Sequence, residues 1–206
     1  MRKKQVNKVI YLATGNAHKL SEFSQMLENS GWVLKSATDL GGMPYVDENA
    51  ETFTGNAFLK ASALKKIAPK DAYVLADDSG IVVDALNGAP GVHSARYAGV
   101  KGANADAENN KKLLANLANV PDNKRTARFV CELALICPDG TVHSFSGKVE
   151  GRINHGEKGS GGFGYDPLFY CDEYGCTTAE MPAEKKNEIS HRGKALRKLL
   201  EFLKTL

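Results

Sequence analysis

Two adjacent carboxylates constrain this sequence more than any other feature. Asp77 and Asp78 are followed by Ser-Gly, and the apolar runs 73–75 and 81–83 flank them. Like charges repel, and burial raises the pKa of both carboxyls, so holding the pair at the end of a buried strand costs free energy. A fold keeps such a pair where a cation or a proton-transfer step uses it. The competing interpretation is a solvated turn between two strands, because Asp, Ser and Gly all form turns.

The size and composition limit the function classes. At 206 residues the chain can bury a substantial core, and we expect a single domain over residues 1–206 with a basic extension at residues 1–8. A net charge of +3 falls short of a nucleic-acid-binding footprint but suits a small polyanionic substrate. No apolar run approaches the roughly 20 residues of a membrane span. The run 9–13 is too short for a signal-peptide core. We therefore expect a cytoplasmic protein.

The cysteines give no metal-binding pattern. Cys171 and Cys176 have four residues between them, but no set of His or Cys completes a zinc motif. Cys131 and Cys137 lie within and at the end of a predicted strand. We expect buried free thiols.

Residues 14–19 connect a predicted strand to a predicted helix. The apolar run 9–13 precedes them, and apolar residues with the i, i+3, i+4, i+7 spacing of one helix face follow. The free N–H groups of a helix start, with the charge of Lys19, suit a phosphate, although the P-loop pattern is absent. The alternative is a simple strand-to-helix turn capped by Asn16.

A second predicted helix, from about residue 52 to residue 67, carries Asn56 and Lys60 on one face. The two side chains form either a solvated polar stripe or an amide and an ammonium directed at a phosphate chain. Glu48 precedes this helix and is either a loop carboxylate or a second metal ligand. Magnesium takes one or two carboxylates and completes its shell with water and phosphate oxygens, so Mg²⁺ is the expected metal.

Two segments in the last third of the chain suit a nucleoside. Residues 159–167 combine glycines with Phe163 and Tyr165. Glycines let a backbone approach a flat ligand, and either aromatic ring can stack on a base. A bulged turn into the next strand is the alternative. Near the end, Ser190 is a good N-cap and places cationic residues 191–192 in a first helical turn, where they oppose the helix dipole unless an anion binds.

Six motifs occur in one order along nearly the whole chain, and together they resemble the inosine/xanthosine triphosphate pyrophosphatase family. They are residues 14–19, 56–60, 76–80, 94–97, 161–167 and 190–193. The resemblance implies an α/β fold, with a long mixed β-sheet flanked by helices and two lobes with a central substrate cleft. It also implies a homodimer. The implied reaction is Mg²⁺-dependent hydrolysis of non-standard purine nucleoside triphosphates (ITP, dITP and XTP) to a monophosphate and pyrophosphate.

The same resemblance implies a role for each matched residue. Asp78 is the general base and a metal ligand, Asp77 is its supporting carboxylate, and Glu48 is a second metal ligand. The triphosphate contacts are Thr14, Gly15, Asn16, Ala17, His18, Lys19 and Lys60. Ser79 contacts substrate. The contacts to the base and its sugar-phosphate are Phe163, Gly164, Tyr165, Asp166, Lys186, His191 and Arg192.

Two other functions stay open. One is a phosphatase that removes a single phosphate at a time, and the other is a nucleotide-binding regulator without turnover. Asp77 and Asp78 argue against the regulator, because binding alone does not call for adjacent carboxylates facing phosphates. We expect no nucleic-acid polymer and no membrane among the partners.

Overall fold

The computed structural model describes residues 8–206, so residues 1–7 of the expected basic extension lie outside it. Within this range the chain forms one seven-stranded sheet in the order β2-β1-β3-β4-β5-β6-β7. The strands are β1 (Val9–Leu12), β2 (Val33–Ser36), β3 (Tyr73–Val83), β4 (Thr126–Ile136), β5 (Val142–Ile153), β6 (Phe169–Cys171) and β7 (Cys176–Thr177). β1 pairs in parallel with β2 and β3, whereas β6 pairs antiparallel with β5 and β7. The sheet is therefore mixed, as expected.

Five α-helices complete the α/β fold over residues 8–206. They are α1 (Ala17–Leu27), α2 (Phe53–Lys65), α3 (Ala105–Asn116), α4 (Ala183–Ile189) and α5 (His191–Leu203). α2 is shorter than the predicted range 52–67: Thr52 caps its start, with its side chain accepting a hydrogen bond from Gly55 N–H, and Lys66 is the C-cap at its other end. In the described part of the chain, none of the helices has the length and apolarity needed to cross a membrane.

The chain divides into two compact units, and each has its own core. Unit 1 comprises the chain up to Asp78 with residues 132–146 and 195–206, and unit 2 comprises residues 79–131 and 147–194. Buried core residues of unit 1 include Tyr11, Ala57, Ala61, Leu64, Val74, Ala76 and Ala134. Those of unit 2 include Ile81, Val83, Leu113, Leu117, Phe129, Leu168 and Phe169.

The alternative of a solvated turn at the acidic pair is wrong, and the pair lies within a strand rather than at its end. β3 runs without interruption through residues 73–83, so Asp77 and Asp78 lie inside a strand, and nearly all of its residues are buried. The turn preference of Asp, Ser and Gly is weak compared with the burial of the apolar runs on both sides. β3 then ends at Val83, and residues 84–86 form a 3-10 turn.

Gly80 allows this strand to approach the loop after it. A Cβ at residue 80 would lie 2.6 Å from the backbone oxygen of Gly91 and closer still to the Ser94 hydroxyl. That hydroxyl accepts a hydrogen bond from Ile81 N–H at 2.9 Å and donates one to Gly91 O at 2.6 Å. A side chain at residue 80 would therefore displace a buried hydrogen-bonded group.

The cysteines agree with the expectation of free thiols. Cys131, Cys137 and Cys171 are buried and Cys176 is partly exposed. Burial raises the pKa of the Cys171 thiol to about 12, with a smaller contribution from Cys176. Since the thiolate is the reactive form, Cys171 is chemically inert near neutral pH.

Replacing Gly80 with Ala tests the close approach. We expect the Gly80→Ala variant to lose about 1–3 kcal/mol in free energy of unfolding, measured by urea denaturation, because the added methyl overpacks a buried site. Gly156→Ala is the matched control, since a Cβ at residue 156 has no neighbour within 4 Å. Equal stability of the two variants would contradict the packing described for Gly80.

Candidate active site

Unit 1 contains a compact charged group, the carboxylate–lysine cluster, made of Lys19, Glu48, Lys60, Asp77 and Asp78. Lys60 Nζ lies 2.6 Å from Asp78 Oδ1 and 2.9 Å from Glu48 Oε2. Lys19 Nζ forms an ion pair with Asp77 Oδ1. Asp77 and Asp78 are only 2% and 7% exposed. With three carboxylates and two ammonium groups, these five side chains carry one excess negative charge when all are ionised.

The strand geometry separates the two adjacent carboxylates. Successive side chains of a strand point to opposite faces of the sheet. Asp77 accordingly pairs with Lys19 of α1, whereas Asp78 pairs with Lys60 of α2. The repulsion that the sequence suggested is therefore reduced, because each carboxylate has its own counterion.

Burial and the neighbouring charges set the protonation of the central pair. Burial raises the pKa of Asp78, and the lowering effects of Lys60 and Lys19 do not fully reverse it. Burial alone would lower the pKa of Lys60, but the charges of Asp78, Asp77 and Glu48 hold that pKa above its ordinary value. Lys60 therefore stays cationic, and Asp78 is a stronger proton acceptor than a surface aspartate.

The cluster has oxygen atoms suited to a divalent cation. Asp78 Oδ2 is buried and accepts no hydrogen bond from the described residues. Glu48 contacts the Lys60 ammonium group, as Asp78 does, and the Glu48 side chain is 34% exposed. Over residues 8–206, no three or more His, Cys, Asp or Glu side chains surround a common point. The donor set thus fits a magnesium ion, which needs only one or two protein carboxylates when phosphate and water supply the rest.

The turn at residues 14–19 has features of both predicted alternatives: a simple turn capped by Asn16, and a segment that directs Lys19 to a site. Asn16 caps α1, because its Oδ1 accepts hydrogen bonds from His18 N–H at 2.9 Å and Lys19 N–H at 3.2 Å. Thr14 Oγ1 accepts from Asn16 N–H at 3.1 Å. Residues 15–18 are exposed. The turn is thus self-capped and exposed, and α1 brings Lys19 into the carboxylate–lysine cluster.

Asn56 of α2 has a structural contact that the sequence did not suggest. It is fully buried, its Oδ1 accepts from Ala50 N–H at 3.0 Å, and its Nδ2 donates to Ala50 O at 3.2 Å. Both polar groups of the amide are thereby used by the backbone. Asn56 fixes the segment that carries Glu48 toward α2, and of this pair only Lys60 contacts the acidic residues.

Unit 2 contains a second group, the aromatic–cation cluster, made of Ser79, Phe163, Asp166, Lys186 and Arg192. Lys186 Nζ lies 2.6 Å from Asp166 Oδ2 and 5.0 Å from the Phe163 ring centroid. The Arg192 guanidinium lies 5.7 Å from the same centroid, and its Nη2 donates to Ser79 Oγ at 2.9 Å. Asp166 also accepts from Phe163 N–H at 2.7 Å. Two cations beside a half-buried ring suit a flat anionic ligand.

The structure assigns different surroundings to the two aromatics of the glycine-rich segment. Tyr165 is 5% exposed, and its hydroxyl donates to Ser94 O at 2.8 Å. Burial raises the pKa of this hydroxyl well above its ordinary value. Phe163 is only half-buried. Phe163 therefore has the ring that a base can reach, while Tyr165 anchors the segment.

The start of α5 agrees with the predicted cap. Ser190 Oγ accepts a hydrogen bond from Gly193 N–H at 3.0 Å, and the helix begins at His191. Arg192 follows in the first turn and takes part in the aromatic–cation cluster. The His191 ring stacks on Phe129, with ring centroids 4.8 Å apart and planes 12° apart. His191 thus lies against the core of unit 2.

The sequence analysis missed the residues that hold the glycine-rich segment. Asp106 Oδ2 accepts from Gly164 N–H at 2.8 Å, and Asn110 Nδ2 donates to Gly164 O at 3.1 Å. A signal existed for Asn110: it precedes the inward-facing Leu113 by three residues and therefore lies on the same face of α3.

Comparison with known proteins identifies the family. A sequence model of the Ham1 family matches residues 10–202. The chain belongs to the Ham1 family. A relative from Desulforamulus reducens, named dITP/XTP pyrophosphatase, is 49% identical over 197 residues, which cover 96% of each chain. A Listeria monocytogenes relative with the same name is 48% identical over 190 residues, covering 92% of each chain.

Solved structures of Ham1 proteins share the fold of this Ham1 chain. The Ham1 protein of Staphylococcus aureus has a TM-score of 0.83 and 40% sequence identity, covering 96% of this chain and 99% of that one. A HAM1 protein from Coxiella burnetii has a TM-score of 0.86 and 38% identity, with the same coverage. At this identity and coverage the likeness extends over nearly the whole chain and confirms the expected α/β fold.

Removing the Lys60 charge tests the electrostatics of the cluster. At pH 8 we expect Lys60→Met to lower the free energy of unfolding by about 3 kcal/mol, because it leaves a buried carboxylate without its cation. The folded-state pKa of Asp78 should rise further in the variant. Protonation then relieves the penalty, so the loss should grow as pH rises from 5 to 8 and shrink as pH falls.

Lys66→Met is the control for this experiment, since Lys66 is an exposed residue that caps the end of the same helix. Its effect should stay within about 0.5 kcal/mol at both pH values. Urea denaturation at pH 5 and pH 8 measures both variants. A Lys60→Met penalty that does not depend on pH would contradict the charge pairing.

Proposed function

We propose that this chain hydrolyses non-standard purine nucleoside triphosphates, namely ITP, dITP and XTP, to the nucleoside monophosphate and pyrophosphate with Mg²⁺. The main support for the proposal is the buried Asp78, which forms an ion pair with Lys60. Glu48 contacts the same Lys60 ammonium group. The relatives named dITP/XTP pyrophosphatase, at 48–49% identity over nearly the full chain, support the choice of reaction and substrate.

Each residue of the carboxylate–lysine cluster has a task in this reaction. Asp78 accepts the proton of the attacking water, and its raised pKa makes it a stronger base than an ordinary aspartate. Lys19 and Lys60 stabilise the negative charge that develops on the phosphates. Asp78 and Glu48 would hold Mg²⁺, which when bound neutralises phosphate charge and orients the phosphate oxygens. Asp77 keeps Lys19 in place through their ion pair.

The aromatic–cation cluster would hold the nucleoside part. Phe163 offers a half-buried ring for stacking, and Lys186 and Arg192 add positive charge beside it. Hypoxanthine, xanthine and guanine share a 6-oxo group, which accepts hydrogen bonds. A site that donates there disfavours adenine, because the exocyclic amine of adenine would leave buried donors unpaired.

We also propose that the protein is a cytoplasmic homodimer, on the basis of the family resemblance. Light scattering coupled to size-exclusion chromatography measures the mass of the full chain. A mass near twice the 22.2 kDa of one chain supports the dimer, and a mass of one chain contradicts it.

Identifying the products separates this reaction from the stepwise phosphatase. With ITP and Mg²⁺ we expect IMP and pyrophosphate, resolved by chromatography, and faster release of pyrophosphate from ITP, dITP and XTP than from GTP or ATP. Chelation with EDTA should abolish release, and added Mg²⁺ should restore it. Formation of IDP and phosphate would instead identify a stepwise phosphatase.

Replacing Asp78 with Asn tests the base. We expect Asp78→Asn to lower kcat for ITP by about 100- to 10,000-fold, the usual contribution of a positioned general base. Binding of ITP, followed by calorimetry, should largely persist because the amide keeps the size of the carboxyl. Asp139→Asn, in the exposed turn between β4 and β5, is the control and should keep wild-type kcat. Undiminished turnover by Asp78→Asn would remove Asp78 from the mechanism.

A further inference from the structure

We propose that Asn110 of α3 is a positioning residue that sets base selectivity by fixing the peptide groups of Gly164. The inference rests on the proposed function, because it concerns how the segment around Phe163 meets a purine base. It adds to the reaction a residue that lies outside the six motifs.

α3 holds Gly164 from both sides of that residue. Asn110 is 3% exposed, and its Nδ2 donates to Gly164 O at 3.1 Å and to Glu157 Oε1 at 3.0 Å. Asp106, one helical turn earlier, accepts from Gly164 N–H at 2.8 Å. One helix face therefore binds both backbone polar groups of a single residue.

Asn110 and Asp106 restrain the glycine-rich segment at Gly164. Its φ of 61° is in the left-handed region, which glycine adopts readily and other residues rarely do. The residues on either side are anchored by other contacts, Phe163 N–H to Asp166 and the Tyr165 hydroxyl to Ser94. The Phe163 carbonyl is also held, because it accepts from Asp166 N–H at 3.2 Å. Without Asn110, the peptide that follows Gly164 can rotate, and we expect that rotation to shift the backbone that carries the Phe163 ring.

The neighbouring Asn109 shows that α3 anchors two different segments. Asn109 is also buried, and its amide accepts from Ala98 N–H at 2.7 Å and donates to Ala95 O at 3.3 Å. These bonds go to the segment 95–98, whereas Asn110 holds the glycine-rich segment directly. The two amides thus hold different segments, and of the two only Asn110 contacts the segment that carries the half-buried Phe163 ring.

A fixed ring discriminates better than a mobile one. A site held rigidly penalises a base with an extra substituent, whereas a loosened segment moves aside and accepts it. ITP and GTP differ only by the 2-amino group of the base. Their ratio of kcat/KM values therefore reports how firmly the segment is held, and it is independent of the fraction of enzyme that is folded.

The experiment measures kcat and KM for ITP and GTP by pyrophosphate release in Asn110→Ala and Asn110→Asp. We expect KM for ITP to rise about tenfold and the ITP/GTP ratio of kcat/KM to fall about tenfold, as for the loss of a buried hydrogen bond. The kcat for ITP should change less than about threefold, since Asp78 and its lysines are untouched. Glu157→Ala is the matched control, because it removes the other acceptor of the same Nδ2 and leaves Gly164 bound.

The outcomes separate the inference from the proposed function. An unchanged ITP/GTP ratio in Asn110→Ala overturns the inference, even if activity falls equally on both substrates. If the Asn110 variants do not fold, Asp106→Ala carries the test: it removes the other bond to Gly164 from an exposed side chain, and its ITP/GTP ratio should also fall. An unchanged ratio there overturns the inference. A wild-type protein that releases no pyrophosphate overturns the proposed function and the inference with it.

Discussion

Two buried ion pairs on one strand are the interaction on which the candidate site depends. A buried carboxylate that loses its cation costs about 3–5 kcal/mol, so β3 can hold Asp77 and Asp78 only while Lys19 and Lys60 reach them. Lys19 lies on the first turns of α1 and Lys60 in the middle of α2. The position of both helices is therefore tied to the charges of the strand, and unit 1 and the carboxylate–lysine cluster are stabilised by the same contacts.

Local patterns in the sequence predicted the helices and strands better than they predicted the contacts between these elements. The helix starts at Asn16, Thr52 and Ser190 could be predicted because a cap acts within three residues. The alternative of a turn at the acidic pair is wrong, because local propensity favours a turn but burial of the flanking apolar runs decides for a strand. Alternation along that strand would have indicated opposite faces, but the partner of each carboxylate lies 18 or 58 residues away and leaves no local signal.

The glycine-rich segment shows the same limit at the level of single side chains. Phe163 and Tyr165 were equal candidates for stacking, since sequence spacing says nothing about which ring the core encloses. The tertiary contact of the Tyr165 hydroxyl with Ser94 O decides between them. Asp166 is likewise used within unit 2, where it accepts from Lys186, Phe163 N–H and the Thr178 hydroxyl. The sequence motif located Phe163, Tyr165 and Asp166. Only their contacts in the fold show which of these side chains are structural and which are exposed.

The charge of the carboxylate–lysine cluster also bears on the need for a metal. Its three carboxylates outnumber its two ammonium groups, and a triphosphate adds further negative charge. Lys60 cannot neutralise the charge of the phosphates as well while it forms ion pairs with Asp78 and Glu48. Its ammonium also opposes the rise in the Asp78 pKa that burial causes. A divalent cation on Asp78 and Glu48 would balance the approach of the phosphates and let Lys60 shift toward them. In the proposed reaction, the cation would thus offset phosphate charge that Lys60 does not reach.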